Sequence, residues 1–265
     1  MATTPDASAA VSPVRDPIRI VPLHLPGELL APLDAAAPAS APHLSYRGGL
    51  LLTSVKVFTV YWGAGWGSAP LADLASKLDG FFDFVLTSEL MDQMGDYSVA
   101  GKTIGQGSRV GRTVLTSPAP KTVVTDAGIQ HLLRQRLADP TSGFPAADVN
   151  TLYFVYLPPG TAVVQGGSRS CQAFCGYHSD IGGQVFYAAM PYPGCAGCTG
   201  GLAVADALTS TSSHELCEAI TDPVPGQGWY DDANGEIGDI CAWKTRQLGG
   251  YAVQLEWSNS NNSCK

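Results

Sequence analysis

Basic residues are scarce in this chain. Its 265 residues include 15 Lys and Arg against 23 Asp and Glu, a formal net charge of −8 at pH 7. Nucleic acids and anionic membranes bind basic surfaces, so we expect neither as a partner. Long hydrophobic runs are also missing. No window approaches the ~18 consecutive apolar residues that would predict a transmembrane helix.

A secretory signal is not visible either. Residues 1–10 lack a basic region followed by an apolar run, so we expect export by another route or a signal already removed. Residues 1–46 are rich in Ala and Pro without sustained periodicity, which predicts a disordered or extended N-terminal segment. The chain is 45% hydrophobic, and we expect residues 47–265 to form a single catalytic-type α/β domain.

Strand and helix patterns alternate in this domain. Runs of β-branched and aromatic residues bounded by Gly or Pro predict strands, and apolar residues at helical spacing predict helices. The predicted strands are residues 55–62, 109–115, 151–157, 184–190 and 251–257. The predicted helices are residues 71–86, 127–137 and 202–220. The order predicts a mixed β-sheet with flanking helices.

Seven cysteines favour an oxidising compartment. Cys217 falls within the third predicted helix, so we expect it to be a free, buried thiol. The other six lie in Gly-rich sequence or flank the C-terminal segment: Cys171, Cys175, Cys195, Cys198, Cys241 and Cys264. The last two could pair. The first four could form disulfides, but their Cys-x3-Cys and Cys-x2-Cys spacing is also close to that of a zinc ribbon.

Carboxylates are concentrated where basic residues are absent. Residues 170–243 contain no Lys or Arg but nine acidic side chains: Asp180, Asp206, Glu215, Glu218, Asp222, Asp231, Asp232, Glu236 and Asp239. Gathered carboxylates repel one another, so water or a bound cation must compensate them. We favour a cation.

The motif His-Glu-Leu-Cys-Glu at residues 214–218 identifies candidate ligands. On a helix, His214 and Glu218 lie one turn apart on the same face, as the two histidines do in a His-Glu-x-x-His zinc helix. Glu215 projects about 100° away, where it can act as a general base without binding the metal. Glu236 is the third ligand that we favour, and Asp239 is either the alternative or an orienting residue.

Glu215, the segment around Asp232 and His178 each have two interpretations. Ser212 to Glu215 also fits a capping box, in which Glu215 would bind the helix N-terminus. Asp232, Asn234 and Gly235 match part of a calcium loop, so Ca²⁺ is a possible ion, but a simple acidic turn fits equally well. His178 either stabilises the charged intermediate of a hydrolytic reaction or caps a cysteine-stapled turn.

Several segments from residue 48 onward occur together in one known family. They are Gly-Gly-Leu-Leu-Leu-Thr at 48–53, Cys-x3-Cys-Gly-Tyr-His at 171–178, the pair Cys195 and Cys198, and residues 213–223, 235–241 and 257–264. In this order they resemble the Exordium / phosphate-induced protein 1 family and its bacterial relatives. The plant members are regarded as extracellular, growth-linked proteins without an agreed catalytic activity, so the resemblance implies secretion.

The element order is also similar to that of the zinc peptidases called zincins. The resemblance implies an edge-like strand just before the metal helix, which binds an extended peptide by strand addition. It also implies that a downstream acidic residue is the third ligand. The chain departs from that group at Glu218, where a histidine is usual, so its site is more anionic.

We therefore expect a secreted, monomeric, zinc-dependent endopeptidase with a zincin-like α/β fold, one Zn²⁺ ion, and a peptide or protein substrate. One rival is a non-catalytic, Exordium-like extracellular binding protein with a structural zinc or calcium ion. A second is a carbohydrate hydrolase that uses paired carboxylates such as Glu215 and Glu236.

Overall fold

The computed structural model describes residues 21–22 and 41–265. Most of the predicted N-terminal segment, residues 1–20 and 23–40, lies outside the described residues. Leu44 is fully buried, and Ser45–Tyr46 pairs with Trp229–Tyr230. Packed structure therefore begins before residue 47.

The described residues form fifteen strands and five α-helices. The strands are β1 Val21–Pro22, β2 Ser45–Tyr46, β3 Lys56–Trp62, β4 Ser108–Leu115, β5 Val123–Thr125, β6 Thr151–Tyr156, β7 Ala162–Gln165, β8 Ser168–Arg169, β9 Phe174–Ile181, β10 Val185–Met190, β11 Trp229–Tyr230, β12 Thr245–Leu248, β13 Tyr251–Gln254, β14 Trp257–Ser258 and β15 Ser263–Cys264. The helices are α1 Leu71–Val85, α2 Glu89–Met94, α3 Asp126–Ala138, α4 Ala196–Thr199 and α5 Val204–Thr221. Three short 3-10 helices cover Ala64–Gly67, Gly95–Tyr97 and Asp239–Cys241.

The main sheet has six strands in the order β1-β9-β10-β6-β3-β4. Strands β4, β3, β6 and β10 are parallel to one another, whereas β9 is antiparallel to β10 and β1 is antiparallel to β9. All six residues of β6 are buried, as expected for a central strand covered on both faces. The predicted mixed α/β class is confirmed.

Helices cover both faces of this sheet. On one face Tyr156 of β6 belongs to a buried cluster that includes Phe82 of α1 and Leu216 of α5. On the other, Tyr153 of β6 packs in a cluster that includes Leu133 of α3. Helix α5 also buries polar side chains, among them Ser212, His214 and Glu215.

Most predicted elements are confirmed to within a few residues, but the predicted edge strand is wrong. Strand β10, which corresponds to residues 184–190, is interior because β9 pairs along its outer side. The cysteine-stapled turn expected around Cys171, Cys175 and His178 is largely strand β9. The structure instead buries seven of the eight β9 residues.

Three disulfides stabilise the irregular segments. They join Cys171 to Cys195, Cys175 to Cys198 and Cys241 to Cys264. Their sulfurs are thus unavailable to the alternative zinc ribbon. Cys217 is free and buried, as predicted. Disulfides persist in oxidising compartments, so the pairing favours such an environment. No helix among the described residues has the length and apolar character needed to cross a membrane.

Candidate metal centre

Helix α5 supplies three of the predicted site residues. It begins at Val204, eight residues before Ser212, so Glu215 lies in the helix interior and the capping-box interpretation is wrong. His214, Glu215 and Glu218 are all at least 99% buried. Nε2 of His214 lies 2.8 Å from Oε1 of Glu218, as their spacing of four residues predicts.

The loop after β11 brings a further carboxylate to this pair. Oδ1 of Asp239 lies 3.9 Å from Nε2 of His214, while its Oδ2 accepts a hydrogen bond from the backbone N–H of Glu236 at 3.0 Å. The loop must pass close to the imidazole, because a Cβ at Gly238 would lie 2.8 Å from Cγ of His214. His214, Glu218 and Asp239 therefore form one candidate metal-binding group.

Glu236, the third ligand favoured from the sequence, points to a different place. Its Oε1 lies 3.6 Å from Nε2 of His178 rather than beside His214. Asp239, the alternative, lies beside His214 instead. The turn at residues 231–234 is an acidic turn rather than a calcium loop. Oδ1 of Asp231 accepts hydrogen bonds from the backbone N–H groups of Ala233 and Asn234.

His178 lies in strand β9 and faces helix α5, so it does not cap a turn. Its Nδ1 is 3.3 Å from Oε2 of Glu215 and 3.4 Å from Oε2 of Glu218. Its Nε2 is 3.1 Å from the backbone carbonyl oxygen of Asp222. Both ring nitrogens are thus directed at neighbouring groups within the protein. His178, Glu215 and Glu218 form a second candidate metal-binding group.

The buried histidines and carboxylates form one cluster: His178, His214, Glu215, Glu218, Glu236, Asp239 and Glu256. Several of its polar atoms have no hydrogen-bond partner among the described residues. They are Nε2 of His214, Oε1 of Glu215, Oε1 of Glu218 and both carboxylate oxygens of Glu236 and Glu256. Nε2 of His214 and Oε1 of Glu218 are close together, but their orientation does not make a hydrogen bond. Buried polar groups are normally paired, so these atoms fit a site that binds a cation.

Glu256 and Gln254 were missed by sequence reasoning. Glu256 is fully buried close to His214 and Glu218, and it is one of only six Glu in the chain. Gln254 lies in β13, where the alternation of polar and apolar residues gave no indication of a functional role. The only available signal was the scarcity of Glu, which makes each one informative.

Gln254 fixes the orientation of the His214 ring. Its Nε2 is 2.7 Å from Nδ1 of His214 and donates to the carbonyl of Gly238 at 2.9 Å, while its Oε1 accepts from the N–H of Trp243. With the amide in this orientation, Nδ1 of a neutral His214 accepts the hydrogen bond and the proton lies on Nε2. Burial favours the neutral ring, but the charge of Glu218 raises the pKa of His214 well above its ordinary value. A metal-bound His214 needs a lone pair on Nε2, which requires the amide of Gln254 to turn its oxygen towards Nδ1.

The pKa values show how strongly the cluster perturbs its members. Burial raises the pKa of Asp239 to about 8, with the Glu218 charge adding to the effect. Burial also raises the pKa of Glu236, helped by Glu218. Burial alone would raise the pKa of Glu218 too, but His214 and His178 lower it to about 2. For His178, burial favours the neutral form, yet contacts with Glu215 and Glu218 raise its pKa to about 10.

The site is closed on the side of β9. Val21 lies opposite Gly176, and Pro22 lies opposite Phe174, in antiparallel pairing along the outer edge of β9. This edge is close to the cluster, because a Cβ at Gly176 would lie 3.1 Å from Oε1 of Glu215. An N-terminal strand thus runs beside the predicted general base.

Comparison with known proteins adds no family assignment, since the chain matches no family model and no curated protein significantly.

Proposed function

We propose that the protein is a secreted, zinc-dependent endopeptidase. The proposal is carried by the convergence of Nε2 of His214, Oε1 of Glu218 and Oδ1 of Asp239 in a buried group. Catalytic zinc takes three such nitrogen and carboxylate ligands and leaves a fourth position open. The unpartnered atoms of His214 and Glu218 fit this use, and the three disulfides support an extracellular location.

Glu215 is placed to act as the proton acceptor. Bound zinc would acidify a water molecule, lowering its pKa towards ~7, and polarise a substrate carbonyl. Oε1 of Glu215 is buried and has no hydrogen-bond partner among the described residues. Burial raises the pKa of Glu215, although the hydrogen bond with His178 opposes the change. A carboxylate with a raised pKa can accept a proton and later return it to the leaving amine.

The edge of β9 supports an extended peptide as the substrate. A strand edge binds peptides through backbone hydrogen bonds, and β9 already accepts Val21–Pro22 in this manner. One antiparallel strand beside four parallel strands, next to the metal helix, is similar to the zincin arrangement. Because the catalytic side chains are buried, the N-terminal strand must leave this edge before a substrate can bind.

Burial also favours a second candidate function. A structural metal has a closed coordination sphere, and the side chain of Asp239, the most exposed of the proposed ligands, is only 9% exposed. In that case the protein would be a non-catalytic extracellular binding protein similar to the Exordium family.

Metal analysis combined with a digestion assay distinguishes the two functions. Purified protein should contain zinc and should cleave an unfolded protein or a peptide library, and chelation followed by zinc addition should abolish and restore cleavage. Glu89→Gln changes an exposed glutamate and provides a control for a general effect of losing a carboxylate. Stoichiometric zinc without cleavage of any substrate would support the binding protein instead.

A further inference from the structure

The two oxygens of Glu218 face different histidines. Oε1 lies 2.8 Å from Nε2 of His214, and Oε2 lies 3.4 Å from Nδ1 of His178. The carboxylate therefore stands between the two candidate metal-binding groups and belongs to both. A carboxylate placed in this way can bind one ion through each oxygen.

His178 has the hydrogen-bonding pattern of a metal ligand. The Asp222 carbonyl can only accept a hydrogen bond, so the proton of a neutral His178 lies on Nε2, which is 3.1 Å away. Nδ1 then directs a lone pair at the carboxylate oxygens of Glu215 and Glu218. Metal-bound histidines characteristically donate their other N–H to a backbone carbonyl or a carboxylate in this manner.

The distances around Nδ1 match a coordination shell. A tetrahedral ion with bonds of ~2.0–2.1 Å places its ligand atoms about 3.3–3.4 Å apart. Nδ1 of His178 lies 3.3 Å from Oε2 of Glu215 and 3.4 Å from Oε2 of Glu218. Three acceptor atoms facing one another in a buried space require a cation or a proton between them.

Charge balance favours more than one ion. Four carboxylates lie within 4 Å of the two histidines: Glu215, Glu218, Glu236 and Asp239. Among the described residues, no Lys or Arg forms an ion pair with these carboxylates. When all four are ionised, one divalent ion would compensate two of these charges. Glu256 is also buried nearby, with both oxygens unpartnered among the described residues.

We infer that Nδ1 of His178, Oε2 of Glu215 and Oε2 of Glu218 form a second divalent-cation position, with Glu218 bridging two ions. In known two-metal sites the ions lie about 3.5–4 Å apart. This inference rests on the proposed function for the first ion, at His214, Glu218 and Asp239. Glu215 would bind through Oε2 and keep Oε1 as the proton acceptor.

Titration of the chelator-treated, disulfide-intact protein with Co²⁺ and Zn²⁺ tests the inference. Wild-type protein should bind two ions per chain, and two Co²⁺ ions bridged by Glu218 should show spin coupling in electron paramagnetic resonance. His178→Asn and His214→Asn should each bind one ion without spin coupling. His131→Asn, in helix α3, should bind two. Thermal unfolding identifies any variant that fails to fold, and the wild-type stoichiometry tests the inference without a variant.

The other outcomes separate this inference from the proposed function. One ion in the wild type that is lost in His214→Asn but kept in His178→Asn would overturn the second position and leave the first intact. One ion that is lost in His178→Asn but kept in His214→Asn would overturn the bridged pair and the role of His214 as a ligand. No bound ion at all would overturn both proposals and identify protons as the compensating charge.

Discussion

Oε2 of Glu215 on helix α5 lies 3.3 Å from Nδ1 of His178 on strand β9. This contact joins the proposed general base to the strand along which a peptide would bind. It also couples Glu215 to any ion held by His178. Variants at Glu215, at Gln254 and at the β1 edge of β9 change different contacts, so cleavage rate and metal affinity should be measured for each of them.

Glu215→Gln should suppress proteolysis by on the order of 10²-fold or more while leaving an ion bound at His214, Glu218 and Asp239. An ion at His178 would lose one carboxylate ligand. The amide keeps the size of the side chain but cannot accept the proton. Initial rates of peptide cleavage and zinc content per chain measure the two effects. A normal cleavage rate in this variant would exclude Glu215 as the base, and Glu89→Gln should behave as wild type.

Gln254→Leu should weaken zinc binding by about 10–100-fold, because His214 loses the group that orients its ring. Gln254→Glu supplies an acceptor for the Nδ1 proton and should retain or increase affinity. Competition with a chromogenic chelator gives the dissociation constants. Equal losses in both variants would show that Gln254 acts through packing or through its hydrogen bonds to Gly238 and Trp243 rather than through His214.

The metal-free protein should lose stability as pH rises from about 5 to 8. The folded-state pKa of Asp239 is about 8 against an ordinary value of 3.8, and that of His178 is about 10 against 6.5. The native state therefore holds more protons than the unfolded state, so the free energy of unfolding falls with pH. The contribution of His178 is complete below pH 6.5 and is lost as pH rises through about 10.

Urea unfolding of chelator-treated protein at several pH values tests this slope. Glu218 has a pKa lowered to about 2, so its effect on the free energy of unfolding has the opposite sign. Its contribution to stability is lost only as pH falls from 4.5 through 2. Zinc should stabilise the protein more at pH 8 than at pH 5, since it competes with protons for the same ligands. If the free energy of unfolding of the metal-free protein increased between pH 5 and 8, that result would contradict the raised pKa values of Asp239 and His178.

Val21→Pro should increase the rate of peptide cleavage by the full-length protein. Proline removes a backbone N–H, and a weakened strand β1 would compete less with a substrate for the edge of β9. Val11→Pro, the same substitution ten residues earlier in the chain, provides the matched control. An unchanged rate in Val21→Pro, with active wild-type protein, would show that this strand does not limit access.

Much of the fold followed from local sequence patterns. The predictions of strand β6 and helix α1 are right nearly to the residue. Strand β6 is a continuous apolar run stopped by Pro158 and Pro159, and α1 has apolar residues at helical spacing. Strand β9 was not predicted. Its residues form a strand because β10 provides a pairing edge, and that edge exists only after the chain has folded.

The sequence by itself determined helix α5, the order of its His and Glu residues, the surplus of carboxylates and the free state of Cys217. These depend on helical spacing and composition, which are local properties. The tertiary structure decided that Asp239 rather than Glu236 lies beside His214, and that His178 faces Glu215 and Glu218. Those contacts span 25 to 40 residues of sequence, and chain packing rather than local propensity sets which side chains meet.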